Sequence, residues 1–379
     1  MNKRVFITGG HLTPAIAVIH RLVKENIDIF YIGRDKSAFE DSSYKIERET
    51  IEKYGSRVKY LRISAGKLQR YFSISSIFAF IKIPIGFIQS ILFIKKYKPN
   101  LVLSFGGYIG LPVAIAGYLS GIPIVIHEQT QATGFANKVT EGLAFKILLS
   151  WPSEKIKNNQ KAVLTGLPLR KDIYKENKKL PVIVNKPILY ISGGSQGSHL
   201  INQMVKKVIA ELLTNFTIIH QCGSNEKFND LDQMHKLKET LPQNLKDRYF
   251  PLSYIDEDYL GWLYKNTYIA IGRSGANTVY EFAAIAIPSI FIPLPFASGN
   301  EQMKNAEFFQ DNNAGIIINQ RELSTKSLLN AITKMDKNYK FYLKNAKSLK
   351  LKIALNADQK IADVVGQILQ DHSHNEKEK

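Results

Sequence analysis

The chain has 379 residues, enough for two domains of ordinary size. Its 51 Lys and Arg against 33 Asp and Glu leave a formal net charge of +18, which points to an anionic partner: nucleic acid, anionic lipid or a phosphorylated substrate. The basic residues are scattered without a zinc-ligand or RNA-binding signature, which weighs against nucleic acid, and the single cysteine, Cys222, excludes an internal disulfide framework and fits a reducing compartment.

In chain order, Met1-Asn-Lys-Arg leads straight into a strand at Arg4–Ile7, with no secretory signal. Thr8-Gly-Gly-His11 follows, and Thr13-Pro14 opens a helix through Leu22, Thr as N-cap and Pro at the first helical position. A strand, a glycine turn and a helix form the phosphate-facing corner of a doubly wound sheet, so His11 sits at the carboxyl edge, where ligands bind. Ile27–Ile32 and Val58–Ile63 are the next strands. Leu101–Ser104 ends in a second glycine turn, Phe105-Gly-Gly-Tyr108, before a helix from Leu111 to Leu119; Ile122–Ile126 ends in His127-Glu-Gln-Thr130. Ala144–Ser150 and Ala162–Leu164 close this half.

Within it, Tyr71–Ile94 is apolar but interrupted by Lys82, Pro84 and Gln89. A spanning helix needs roughly 20 nearly unbroken apolar residues, so this one does not span. Phe72, Ile74, Ile77, Phe78, Ile81, Ile85, Phe87 and Ile88 are flanked by Lys67, Arg70, Lys82, Lys95, Lys96 and Lys98. Apolar side chains ringed by lysines suit the surface of an anionic bilayer, although part of such a helix must pack on the sheet.

After a lysine-rich linker at Lys171–Lys186 the pattern restarts: a strand at Pro187–Ile191, the turn Ser192-Gly-Gly-Ser-Gln-Gly197, and a helix from Ser198 to Leu213. Phe216–Gln221, Tyr268–Ile271 and Ile290–Ile292 supply further strands. The stretch Gly272–Gln302 is the most informative. Ser274, Gly275 and Ala276 let a ligand approach the backbone, Asn277 and Thr278 open a helix whose first amides suit a phosphate, and Glu281 lies one turn on, placed to take ribose hydroxyls. The loop after Pro293 delivers Asn300, Glu301, Gln302 and Asn305, side chains suited to sugar hydroxyls. Phosphate, ribose and sugar groups in that order describe a nucleotide-sugar site.

Two α/β halves, each with a glycine turn after its first strand, predict two facing doubly wound, Rossmann-like domains with a ligand cleft between them. The expected boundaries are 1–168 and 169–344, with Tyr339–Leu369 helical, the part from about 345 to 370 packing back on the first domain, and a disordered polar tail at 371–379.

The ordered set of motifs resembles the MurG family, the transferases that convert lipid I to lipid II in peptidoglycan synthesis. It comprises Thr8-Gly-Gly-His11 with Pro14, Ile63-Ser-Ala-Gly-Lys-Leu68 with Arg70-Tyr71, Ser104-Phe-Gly-Gly-Tyr108, His127-Glu-Gln129, Asn137-Lys138, Gly193-Gly-Ser-Gln-Gly197 with Asn202, and Arg273-Ser-Gly-Ala276 with Thr278 and Glu281. The resemblance implies a GT-B fold and an inverting transfer of N-acetylglucosamine from UDP-N-acetylglucosamine to the 4-hydroxyl of undecaprenyl-linked muramoyl-peptide, without metal or other cofactor, by a peripheral enzyme on the cytoplasmic face of the plasma membrane. Carried residue by residue, the uracil meets the backbone at Ile255 and the ribose meets Glu281. The diphosphate meets Ser195, Gln196 and Thr278, with Ser274, Gly275 and Ala276 close by; Arg170, near the hinge, is counted with the donor-binding residues, and the transferred sugar meets Gln302 and Asn305. The acceptor is expected near Thr8, Gly9, Gly10, Gly106, Gly107, Tyr108 and Asn137, and the membrane at Phe72, Ile74, Ile77, Phe78, Ile81 and Lys82. His11 is the natural base, histidine being the side chain that ionises near neutrality. Glu128 is the rival base, a group orienting the acceptor sugar, or a carboxylate holding a loop.

The chain departs from the family pattern at Phe6-Ile7, where two more glycines are usual, at Thr130 in place of Asn, at Leu167 within the usual Gly-Asn-Pro, and at Glu301 beside Gln302, where some members carry a second Gln. The first bears on acceptor shape, the second and fourth on the donor sugar. Three other functions fit parts of the pattern: a GT-B transferase with another lipid acceptor, a UDP-N-acetylglucosamine 2-epimerase, and a non-catalytic nucleotide-sugar-binding protein.

Overall fold

The computed structural model describes residues 3–34, 42–64, 74–130, 135–153 and 155–375, with the backbone alone for residues 42–46, 74–83, 135–137, 155, 226, 298 and 372–375. The chain divides into two compact units, Met1–Arg170 with Ala354–Lys379, and Lys171–Ile353.

The first unit is built on a parallel sheet of seven strands: β1 Lys3–Thr8, β2 Ile27–Arg34, β3 Val58–Ile63, β4 Leu101–Ser104, β5 Ile124–Glu128, β6 Lys146–Leu149 and β7 Ala162–Leu164, in the order β3-β2-β1-β4-β5-β6-β7. Both faces are covered, so the central strands are apolar runs and not alternating ones. Val5, Ile7, Leu101, Leu103 and Val125 face the helix Leu12–Leu22 and the C-terminal helix Ala357–Asn375, whose Ile361, Val365 and Ile368 complete that core. Phe6, Val102, Ile124 and Ile126 point the other way, into a core closed by Ile109 and Val113 of the helix Gly107–Leu119 and by Ile94 of the helix Ile74–Tyr97. The expected single helical stretch Tyr339–Leu369 is two helices, Tyr339–Lys350 in the second unit and Ala357–Asn375 in the first. The latter continues past Asp371, where polarity alone had suggested that order ends; residues 376–379 lie outside the described ones.

The second unit has six parallel strands, β8 Ile188–Ser192, β9 Thr217–Gln221, β10 Tyr249–Leu252, β11 Thr267–Gly272, β12 Ser289–Phe291 and β13 Gly315–Ile317, ordered β10-β9-β8-β11-β12-β13. β10 and β13 are absent from the sequence reading because they are the two edges: β10 carries Pro251, which an edge tolerates, and β13 is three residues long.

In each sheet the first strand lies between strands whose connections run in opposite directions. Such a switch point, β1/β4 in one unit and β8/β11 in the other, opens a crevice at the carboxyl ends of the strands. All four glycine turns of the sequence leave those four strands.

Candidate active site

β1 ends at Thr8, and Gly9 and Gly10 turn the chain to His11, which is the N-cap of the helix Leu12–Leu22. The sequence places that cap at Thr13. The helix instead starts one residue after His11, and Pro14 falls within the first turn, where its missing N–H costs no intrahelical bond. Beside it, β4 runs into Gly106 and Gly107, with φ of 76° and 72°. The two turns meet backbone to backbone: a methyl group on Gly10 would stand 2.2 Å from the Gly106 carbonyl oxygen. That approach is why both turns need glycine.

His11 is exposed, and its Nδ1 lies 3.0 Å from the Phe105 carbonyl oxygen. A carbonyl only accepts, so Nδ1 carries the hydrogen in this bond and the neutral ring keeps its lone pair on Nε2. His127 packs on the residue that carries this carbonyl. Its ring packs on Phe105 at 5.3 Å, and its Nε2 lies 3.2 Å from both the Gly166 carbonyl oxygen and Ser150 Oγ. Burial pulls the His127 pKa down to about 4, with His11 adding to the effect and the Gly166 bond opposing it, so that ring is a neutral prop.

Other expected acceptor and catalytic residues fall differently. Thr8 is fully buried and donates to Ser104 Oγ at 3.1 Å, tying β1 to β4, so its hydroxyl is turned into the sheet and away from a ligand. Glu128 is 7% exposed at the end of β5, and its Oε1 accepts from the Thr130 N–H at 3.3 Å and the Thr130 hydroxyl at 3.2 Å. The carboxylate therefore closes the loop after β5, and Thr130, at the position where the family pattern has Asn, is its partner. Gly9 is buried and Tyr108 half-buried in the first turn of its helix. The side chains of Asn137, Ile74, Ile77, Phe78, Ile81 and Lys82, and Phe72 entirely, lie outside the described residues.

In the second unit, β8 leads into Gly193–Gly197 with Ser195 and Gln196 exposed at the tip. The turn is clamped. Gly194 N–H donates to Ser192 Oγ at 3.1 Å, the Gln221 amide donates to the Gly194 carbonyl at 3.3 Å, and a methyl group on Gly197 (φ 77°) would stand 1.9 Å from the Cys222 carbonyl oxygen. That carbonyl is pinned by Asn202 Nδ2 at 2.9 Å, which also donates to Asp230 at 2.9 Å, while Asn202 Oδ1 accepts from buried His220. Asn202 thus acts on the turn from beneath.

β11 leads into the second turn, Gly272–Gly275, and the helix Ala276–Ile285. Neither this helix nor His199–Asn215 has a side-chain N-cap bond, so their first amides have no side-chain partner at the cap. The sequence reading named no role for Arg273, which stands between the turns, donating to Ser198 Oγ and the Ile292 carbonyl oxygen at 2.9 Å each. Burial lowers its pKa, and no carboxylate pairs with it among the described residues. An uncompensated guanidinium beside two helix starts makes this edge attractive to an anion. Thr278 is half-buried in the first helical turn and Gly275 and Ala276 line its start.

Glu281 is 1% exposed, and its Oε2 accepts from the Tyr264 hydroxyl at 2.9 Å. Ile255 has a buried side chain and precedes Asp256, the N-cap of the helix Glu257–Asn266. Asn305, expected at the sugar, and Ser274, expected in the phosphate turn, both have protein partners. Residues from Glu301 to Gln310 are a helix, and Asn305 is fully buried in it, donating to the Ser274 carbonyl oxygen at 3.1 Å. Ser274 is buried too, its hydroxyl on the Gln302 carbonyl oxygen at 2.7 Å. These two side chains staple the second turn to that helix. Gln302 stays half-buried with Oε1 on the Leu294 N–H at 3.0 Å, so its amide N–H groups remain the ones to offer a ligand. Arg170 is half-buried at the end of the first unit.

The chain matches the models of the glycosyltransferase family 28 N-terminal domain over residues 8–149 and C-terminal domain over residues 188–365. It is 33% identical over 376 residues, covering 96% of this chain and 98% of the relative, to a UDP-N-acetylglucosamine–N-acetylmuramyl-(pentapeptide) pyrophosphoryl-undecaprenol N-acetylglucosamine transferase of Clostridium tetani. The enzyme of the same name from Clostridium botulinum strain Langeland is 35% identical over 363 residues, 92% of this chain and 95% of that one. Among solved structures, MurG of Acinetobacter baumannii superimposes with a TM-score of 0.73 at 23% identity, over 96% of this chain and 99% of that one.

Proposed function

The chain belongs to the MurG family of family 28 glycosyltransferases, and from that premise we propose how its residues carry out the reaction. It is a UDP-N-acetylglucosamine-dependent transferase of GT-B fold that moves N-acetylglucosamine onto the muramoyl sugar of lipid I, giving lipid II. The second unit takes the donor. The diphosphate lies on the Gly193–Gly197 turn, Thr278 and Arg273, the ribose on Glu281, the uracil on the backbone at Ile255, and the sugar on Gln302. As UDP departs, charge grows on its β-phosphate, and fixed amides and a preplaced guanidinium stabilise it without reorganising. The first unit takes the acceptor at Gly9, Gly10, Gly106, Gly107 and Tyr108, and Nε2 of His11 removes the proton of the attacking 4-hydroxyl.

The observation that carries this assignment is the His11–Phe105 bond, which puts the hydrogen on Nδ1 and the lone pair on Nε2 of an exposed histidine at a switch-point turn. With UDP-N-acetylglucosamine and a short-chain lipid I analogue, the protein should release UDP and form a disaccharide joined by one new β-linkage. Epimerised nucleotide sugar without disaccharide, or no turnover at all, overturns it.

We also propose that the enzyme docks peripherally on an anionic bilayer, at the cytoplasmic face where its nucleotide donor is found. Among the described residues no helix is long and apolar enough to cross a membrane. In the helix Ile74–Tyr97, Ile85, Ile88 and Leu92 are 42%, 58% and 58% exposed, spaced three and four apart, with Lys95 and Lys96 exposed after them, whereas Phe87 turns inward to the core. Tyr118 and Leu119 are exposed at the end of the helix packed beside it. Apolar insertion and lysine attraction add at such a surface. Replacing Ile88 and Leu92 by Ser, or Lys95 and Lys96 by Glu, should reduce sedimentation with phosphatidylglycerol vesicles, and salt should weaken wild-type binding. Turnover of the short-chain analogue should survive. Wild-type protein that stays in the supernatant at low salt removes this proposal.

A further inference from the structure

Two buried tyrosines outside the family motifs stand behind the donor groups. Tyr264 is 4% exposed and donates to Glu281 Oε2 at 2.9 Å. Tyr190, in β8 and 3% exposed, donates to Gln221 Oε1 at 2.9 Å. The rings pack together at 6.1 Å between centroids, and each lies against Phe282, at 5.5 Å for Tyr264 and 6.2 Å for Tyr190. Phenylalanine at either position would fill the same space, so what the hydroxyls add is a direction imposed on a polar partner.

Those directions matter differently. A carboxylate can turn about its last bond, and the Tyr264 hydroxyl, by meeting Oε2, restricts that turn and biases the directions in which Glu281 presents its lone pairs. The Gln221 amide has one accepting and one donating end. Because Tyr190 supplies a donor to its oxygen, the NH₂ end must point the other way, and it meets the Gly194 carbonyl oxygen at 3.3 Å. Gly194 has φ of 88° and sits at the start of the turn that exposes Ser195 and Gln196.

We propose that Tyr264 and Tyr190 are positioning residues for the nucleotide donor, Tyr264 orienting Glu281 toward the ribose hydroxyls and Tyr190 orienting, through Gln221, the turn that receives the diphosphate. This rests on the donor assignment above. One aromatic cluster with Phe282 at its centre thereby holds the ribose group and the phosphate turn at a fixed spacing, although one lies on a helix and the other follows a strand.

The test is calorimetric binding of UDP, 2′-deoxy-UDP and UMP to the full chain, with thermal unfolding recorded for every variant. Tyr264→Phe should cut the preference for UDP over 2′-deoxy-UDP by about tenfold and leave the preference for UDP over UMP unchanged. Tyr190→Phe should do the reverse. A merely structural role lowers affinity for all three ligands by one common factor, and that result, or unchanged preferences, overturns the inference for the tyrosine concerned. Glu281→Gln separates the inference from its premise. If that variant loses the ribose preference while Tyr264→Phe keeps it, the donor assignment stands and the role of Tyr264 falls. If wild type and Glu281→Gln both bind UDP and 2′-deoxy-UDP alike, the ribose assignment falls and takes the role of Tyr264 with it.

Discussion

His11→Ala is expected to lower kcat on a lipid I analogue by about 10²–10⁴-fold, the contribution of a positioned general base, while leaving UDP affinity close to wild type. The split follows from the placement of the groups: His11 belongs to the first unit, and the nucleotide contacts assigned above belong to the second. Glu128→Gln is the paired control. Its carboxylate is occupied by the Thr130 N–H and hydroxyl, so this variant should loosen the loop after β5 and raise KM more than it lowers kcat. A large kcat loss in Glu128→Gln with a mild one in His11→Ala would transfer the role of base to Glu128. The pH profile must be read beside the stability profile. His127 and His220 are buried and neutral, with folded pKa values of about 4 against 6.5 when unfolded. The unfolded chain therefore binds more protons between these values, and the stability held by both rings is fully present above about pH 6.5 and declines as pH falls toward 4. Loss of turnover that tracks loss of folded protein in that window belongs to these two histidines; loss that precedes it, and that His11→Ala abolishes, belongs to the base.

What could be seen in the sequence, and what could not, divides along physical lines. The glycine turns were legible because their chemistry is local: only glycine accepts the φ of Gly106, Gly107 and Gly197 beside another backbone, and each turn follows an apolar run of strand length. The common direction of the strands follows from the same alternation of strand and helix, whereas their order in each sheet does not. Side-chain roles were less accessible, because they depend on which way a residue faces once elements pack. Asn305 has the side chain of a sugar ligand and Ser274 the size of a residue that lets a ligand approach the backbone, yet both are buried staples between a turn and a helix. Thr8 and Ser104 likewise bond to each other across two strands separated by 96 positions. Arg273 belongs to a motif to which the sequence assigns no role for it, and its value lies in having no carboxylate partner among the described residues, a property that no spacing displays. The edge strands β10 and β13 were missed because one contains proline and the other is too short to show a period.

The second large effect is expected at Glu281. Glu281→Ala should weaken UDP binding by about 1.5–3 kcal/mol, the range for hydrogen bonds to a charged group, which is roughly ten- to a hundredfold in Kd. Removal of a carboxylate that is 1% exposed and bonded to Tyr264 also leaves a buried hydroxyl without its acceptor, and that should cost about 1–3 kcal/mol of stability on its own account. Loss of UDP affinity is therefore not sufficient evidence of a ribose contact. The informative quantity is the difference between ligands: replacing UDP by 2′-deoxy-UDP should penalise the wild type far more than Glu281→Ala, because the variant no longer has the group that the missing hydroxyl would have met. Destabilisation without a ribose contact lowers both affinities together and leaves that difference intact. Measured at a temperature where both proteins are fully folded, a wild-type penalty that survives in Glu281→Ala would move the ribose to another part of the second unit. A penalty that vanishes in the variant ties the buried carboxylate to the nucleotide, and the Tyr264→Phe variant then decides whether the hydroxyl bonded to that carboxylate takes part in presenting it.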